Sequence, residues 1–213
     1  SMLCRVMSKP SRRAWQFGMQ MIAWLRDNRK RGVRYRSDFN AHGLVATCDS
    51  SNKPDPHDGR VQHSHDVKWM GGCIGDISQK LKHIGYGSPA NEWMAIRWCA
   101  ARVIKFRNLF EELGLYEVVD KPTKIYCDNN VAIHWLKTGK ITDGNQYMSL
   151  AYHQPREWER EGAIETCAIH TFDNTSDLGS KPNSAEEFNR HLPVKMGYAR
   201  WEITLPRPTM SFT

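Results

Sequence analysis

The sequence has no run of about eighteen apolar residues, the length a helix needs to cross a bilayer, so no membrane partner is expected. It has no CxxC pair. Cys4, Cys48, Cys73, Cys99, Cys127 and Cys167 are scattered, and three of them fall in strand-like runs. That pattern argues against a zinc or disulfide framework and for free thiols in a reducing compartment. The basic, Trp-rich N-terminus lacks the apolar block and small-residue cleavage site of a signal peptide. The expected location is therefore intracellular, cytoplasmic or nuclear. Basic excess is also missing from most of the chain. Residues 1–42 hold 10 Lys and Arg against 2 acids, whereas residues 43–213 hold 20 against 21. The net charge of +7 is thus N-terminal, which points to an anionic partner there, nucleic acid being the usual one, against a merely solvated basic helix face.

What is present reads as a globular α/β chain. "SKPSRRAWQFGMQMIAWLRDNRKRG" (8–32) predicts a helix with Ser8 as N-cap, Pro10 in its first turn and Gly32 as its stop. Trp15, Met19, Ile22 and Leu25 form its apolar stripe. "LVATCDSS" (44–51) predicts a strand reaching Asp49, followed by a proline-broken loop over 52–59. Strands are expected over 67–77 and 80–87. Residues 55–66, with His57, His63, His65, Asp55, Asp58 and Asp66, read as a flexible polar loop, with a transition-metal site as the alternative.

The clearest element is a long helix from Ser88, as cap, through Pro89 to a stop at Gly114, with Glu92 in its first turn. "TKIYCD" (123–128) predicts a strand ending at Asp128, and Asn129 or Asn130 caps the helix after it. A helix over 145–162, a strand over 163–172 and a short helix with Asp177 near its start complete the pattern, before a weak terminal strand. Three consecutive strands favour an antiparallel meander and helix-linked strands favour parallel pairing, giving a mixed sheet flanked by helices.

In such a sheet, strand ends and helix starts meet at one edge, so Asp49, Glu92, Asp128 and Asp177 can converge. Four packed carboxylates repel unless divalent cations sit among them, and hard oxygen ligands favour Mg²⁺ or Mn²⁺. The bland alternative for each acid is a turn or cap residue.

"CDSSN", "SPANEWMA", "IYCDNNVAIHWLKTG" and "FDNTSDLGSKP" resemble, in order and spacing, the motifs of the ribonuclease H domain of copia-type LTR retrotransposon polyproteins. The segment before residue 43 is similar to that family's connection from reverse transcriptase. The resemblance covers roughly residues 3–192 and implies a ribonuclease H-like fold with a five-stranded mixed sheet. It implies three parts: 1–42 linking to reverse transcriptase, 43–192 catalytic, and a tail over 193–213. It also implies Asp49, Glu92, Asp128 and Asp177 as ligands of two Mg²⁺ (or Mn²⁺), hydrolysis of the RNA strand of RNA–DNA hybrids, and reverse transcriptase of the same polyprotein as partner. A degenerate, non-cleaving binding module is the alternative. Asn52, Asn91 and Asn129 neighbour the acids and are candidate donors to the hybrid, or local caps. His170 is a candidate for product release, or a packed or capping residue. Arg12 and Arg13 are candidate phosphate contacts on the basic helix. The chain departs from the family where "GSPANEW" replaces "SSTEAEY" and where Gln146, Tyr147, Met148 and Ser149 stand in place of "TKHID", without its basic and acidic side chains.

Overall fold

The computed structural model describes residues 9–37, 43–56, 58–84, 87–140, 146, 153–201 and 203. Two compact units divide the chain, residues 1–33 and 34–213. Ser8, His57 and residues 147–149, on which expectations fell, lie outside the described residues.

The first unit carries helix α1 (Arg12–Asp27). Its N-cap is Ser11, whose hydroxyl accepts a hydrogen bond from the Ala14 amide at 3.1 Å. The cap therefore lies three residues beyond the expected Ser8, because Ser11 is the serine whose oxygen meets an otherwise unpaired amide of the first turn.

The larger unit is built on strands β1 (Val45–Ser50), β2 (Arg60–Trp69), β3 (Gly72–Ile84), β4 (Thr123–Cys127) and β5 (Ile164–Ala168). Their order in the sheet is β3-β2-β1-β4-β5. The first three pair antiparallel, and β1, β4 and β5 pair parallel. This is the mixed five-stranded sheet that the motif order implied. Helix α2 (Ser88–Glu112) crosses one face, and α3 (Asn130–Thr138) and α4 (Gln154–Arg160) connect β4 to β5. Helices α5 (Asp177–Ser180) and α6 (Ala185–Lys195) follow β5.

Several boundaries differ from expectation. The segment 67–77, expected as one strand, instead holds the end of β2, a turn at Met70 and Gly71 with φ of 48° and 77°, and the start of β3, which runs on to Ile84 through most of the 80–87 segment. A two-residue turn with both φ positive matches the right-handed twist of the strands it joins. The segment read as a polar loop is thus mostly β2, and His63 and His65 are 0% and 2% exposed within it. Ser88 is the first residue of α2 and not its cap; that position falls to Gly87 at φ 117°. The ambiguity at α3 resolves to Asn129, whose Oδ1 accepts from the Val131 and Ala132 amides at 3.1 and 3.0 Å. Helix α6, for which no expectation was drawn, opens with a capping box between Ser184 and Glu187. No strand occurs among the described residues after α6.

Alternation along β1 and β2 sorts side chains between the two faces. On the α2 face, Ala46, Cys48, Val61, Val67, Trp93, Ile96, Cys99, Ala100 and Val103 form the core together with Ile125, Leu136 and Ile164. Cys48, Cys73, Cys99, Cys127 and Cys167 are free. The opposite face is polar but buried. Asp66 and Lys68 pair there, Lys68 Nζ donates to Thr175 Oγ1 at 2.6 Å, and Thr175 Oγ1 donates to Asp66 Oδ2 at 2.8 Å. Lys195 of α6 lies 2.7 Å from Asp76 and 3.7 Å from Asp66. Burial by itself would raise the Asp66 pKa, but the two ammonium groups hold it down at about 2. The Trp201 ring stacks over the Lys68 ammonium at 4.6 Å. Lys195 and Trp201 therefore both pack on this face. Among the described residues no helix is long and apolar enough to cross a membrane.

Candidate metal centre

Each of the four acids singled out in the sequence is delivered by a different element. Asp49 is the penultimate residue of β1, Glu92 lies in the second turn of α2 and not the first as expected, because the helix begins at Ser88 itself, Asp128 follows β4, and Asp177 opens α5. Asp49, Glu92 and Asp177 are 4%, 3% and 3% exposed, and Asp128 is half-buried.

Local packing places them. The segment Asn174–Ser176, each residue 0% exposed, is sewn to the sheet. Asn174 Nδ2 donates to the Cys48 carbonyl at 2.9 Å, and Thr47 Oγ1 meets Ser176 Oγ at 2.6 Å. Ser64 Oγ donates to the Ser176 carbonyl. A Cβ on Gly179 would meet Ser64 Cβ at 2.7 Å, so glycine lets α5 lie directly on β2. These contacts bring Asp177 to the side of β1 that carries Asp49.

Neighbouring donors orient the carboxylates. Ser180 Oγ donates to Asp49 Oδ2. Glu92 Oε1 accepts from the Ser50 amide at 3.1 Å and the Ser50 hydroxyl at 2.8 Å. Cys127 Sγ lies 3.8 Å from Glu92 Oε2, and Thr171 Oγ1 donates to Asp128 Oδ2 at 2.8 Å. Asp177 Oδ2 pairs with Lys181 Nζ at 2.6 Å, whereas Asp177 Oδ1 is buried with no hydrogen-bond partner. Ligand atoms of Glu92, Cys127 and Asp128 lie within 4.8 Å of one another.

The electrostatics follow from crowding. Burial raises the Asp49 carboxyl well above the ordinary range, and the charges of Asp177 and Asp128 push it further. Burial likewise raises Glu92, with Cys127, Asp49 and Asp128 adding to it. Asp177 is raised by burial despite its hydrogen bond to Lys181. Burial opposes the charge on Lys181, but its bond to Asp177 and the fields of Asp49, Asp177 and Asp128 outweigh it and raise its pKa. Four carboxylates with an orphaned buried oxygen are a donor set suited to hard divalent cations.

The other candidates spread out. Asn52 is exposed in the loop after β1. Asn91 is 3% exposed, beneath the surface of α2. Asn129 caps α3 and donates Nδ2 to Ser88 Oγ at 3.3 Å. His170 is exposed and accepts from the Phe172 amide through Nδ1 at 3.1 Å, a capping contact. Arg12 and Arg13 are exposed on α1 in the smaller unit. His63 and His65 stack on each other at 5.8 Å, and Asp55 and Asp58 pair with Lys80 at 2.6 and 2.8 Å. Those histidines and acids therefore form no common cluster; β2 directs His63 and His65 to one face and Asp66 to the other.

Sequence reasoning did not find Ser50, Thr171, Ser180 or Lys181. Ser180 and Lys181 stood inside the motif that carried Asp177, three and four residues on, which is the one signal that marks them.

No protein-family model matches the chain. It is 25% identical over 113 residues, 53% of its length, to the retrovirus-related Pol polyprotein from transposon TNT 1-94 of Nicotiana tabacum. It is 24% identical over 136 residues, 64% of its length, to that from transposon RE1 of Arabidopsis thaliana. The chain spans 8% and 9% of those two relatives. Among solved structures, LC11-RNase H1 in complex with an RNA/DNA hybrid matches 64% of this chain and 92% of its own, with 10% identity and a TM-score of 0.45. The N-terminal RNase H domain of a Mycobacterium tuberculosis protein matches 74% of this chain and 99% of its own, with 10% identity and a TM-score of 0.47. By sequence the chain is similar to a short stretch of plant-transposon Pol polyproteins, and by the order and sense of its strands it has a ribonuclease H-like fold.

Proposed function

We propose that residues 43–192 form a metal-dependent ribonuclease H that hydrolyses the RNA strand of RNA–DNA hybrids, leaving 3′-hydroxyl and 5′-phosphate ends. The observation that carries this reading is the convergence of Asp49, Glu92, Asp128 and Asp177 from four separate elements, with Asp177 Oδ1 buried and unpartnered. These four side chains would hold two Mg²⁺ or Mn²⁺ ions. When bound, such ions supply an acidified water as nucleophile and neutralise the leaving oxygen. The protein's own part is positioning. Ser50 fixes Glu92, Thr171 fixes Asp128 and Ser180 fixes Asp49, so the acids meet the ions without reorganising. Asn129, next to Asp128 in sequence, and the exposed Asn52, three residues after Asp49, would meet the hybrid's 2′-hydroxyls or phosphates. The basic segment 1–42 would join the domain to reverse transcriptase, with Arg12 and Arg13 on nucleic acid. The setting would be an intracellular one, in reverse transcription of a transposon.

The test is cleavage of a labelled RNA–DNA hybrid in Mg²⁺ or Mn²⁺ beside an Asp128→Asn variant. The variant is expected to lose roughly a thousandfold in rate, a few kcal/mol of charge stabilisation, while still binding the hybrid. Hybrid binding without cleavage by the parent would instead identify a non-cleaving binding module.

A further inference from the structure

Lys181 stands apart from the other groups that hold the acids. Asp49 and Asp128 accept from hydroxyls, and Glu92 accepts from a hydroxyl, an amide and a thiol. Asp177 takes an ammonium, with Lys181 Nζ 2.6 Å from Oδ2.

The chain around Lys181 builds this contact. Lys181 is the C-cap of α5 in an extended conformation, φ −139° and ψ 162°, the region to which a following proline, here Pro182, confines it. Asn183 closes the turn, donating Nδ2 to the carbonyls of Asp177 at 3.1 Å and Lys181 at 2.8 Å. The side chain therefore runs back over α5 onto the first residue of that helix. The Asp177 side chain is 5% exposed and that of Lys181 is 35% exposed. The carboxylate is fixed and buried, while the ammonium has a route to water.

A single positive charge thus already occupies one oxygen of a proposed ligand, and the other oxygen, Oδ1, has no partner. One divalent cation can use Oδ1 and the remaining acids while Lys181 stays. A second ion drawing on Oδ2 must displace the ammonium into solvent, and displacement costs the Coulomb attraction between Lys181 and Asp177. From this geometry we propose that Lys181 is a resident counter-ion that competes with a divalent cation for Asp177 Oδ2, making the step that engages this oxygen the weaker of two binding steps. Lys181 is a positioning residue in this scheme: it holds Asp177 in place before the ions arrive and withdraws as they fill the site. The inference rests on the metal-centre reading above.

The experiment is titration of the full chain with Mn²⁺, counting free ion by its EPR signal, in the absence of nucleic acid. The parent is expected to bind in two steps, the second at least tenfold weaker. Lys181→Met and Lys181→Gln are expected to tighten the second step about tenfold and leave the first within twofold, and Lys181→Arg to follow the parent. One ion bound by the parent and two by the neutral variants supports the proposal equally. Superimposable isotherms for the parent and both neutral variants, with circular dichroism showing them folded, overturn the counter-ion role and leave the metal centre standing. Absence of saturable Mn²⁺ binding by the parent overturns the metal centre and the counter-ion role with it.

Discussion

Acid should unfold this protein through two histidines that take no part in the proposed chemistry. His63 and His65 are buried on β2, stacked on each other, and neither ring nitrogen of either has a hydrogen-bond partner. Burial lowers the His63 pKa to about 3, helped by His65. It lowers His65 to about 4, with Asp66 opposing and Arg102 of α2 and Lys195 of α6 assisting. An unfolded chain protonates both near their ordinary pKa of about 6.5, whereas the folded protein keeps both neutral. Their contribution to stability is therefore complete above about pH 6.5 and is lost as the pH falls towards 4 and 3. Each unit of pH in that window costs about 1.4 kcal/mol per histidine, so the pair costs about 4 kcal/mol between about pH 7 and pH 5. The raised carboxyls of Asp49, Glu92 and Asp177 work in the opposite direction, so a difference measurement is needed. Urea unfolding followed by circular dichroism at several pH values would compare the parent with His63→Leu/His65→Leu. The variant should match or exceed the parent near neutrality, because it removes unpaired buried nitrogens, and should not share the parent's loss in acid. Parallel stability profiles for the two proteins would refute the reasoning.

Two further outcomes are expected. Lys68→Met leaves Asp66 buried with only the more distant Lys195 and Thr175 beside it, and should cost about 3–5 kcal/mol in urea unfolding, much of which Asp66→Leu in the same chain should restore. Ser50→Ala removes the hydroxyl that orients Glu92 but keeps the amide contact, and should weaken Mn²⁺ binding about tenfold to a hundredfold while stability in urea changes by about 1–3 kcal/mol.

The amino-acid sequence by itself determined the local elements whose signals are local. Apolar alternation and helical periodicity mark β1, α2 and β4, and Pro and Gly mark α2's two ends, because those patterns act within a few residues. The order of the four acid-bearing motifs was legible for the same reason. Tertiary structure decided the rest. Whether His63 and His65 lay in a loop or a strand depended on β2 pairing with β1 and β3, since pairing satisfies the backbone that a polar run exposes. The partners of the acids come from afar: Ser180 reaches Asp49 across 131 residues and Ser50 reaches Glu92 across 42. No periodicity encodes such a contact. The sheet's strand order, and the buried Asp66–Lys68–Thr175 network that seats α5 upon it, bring those groups within hydrogen-bonding reach.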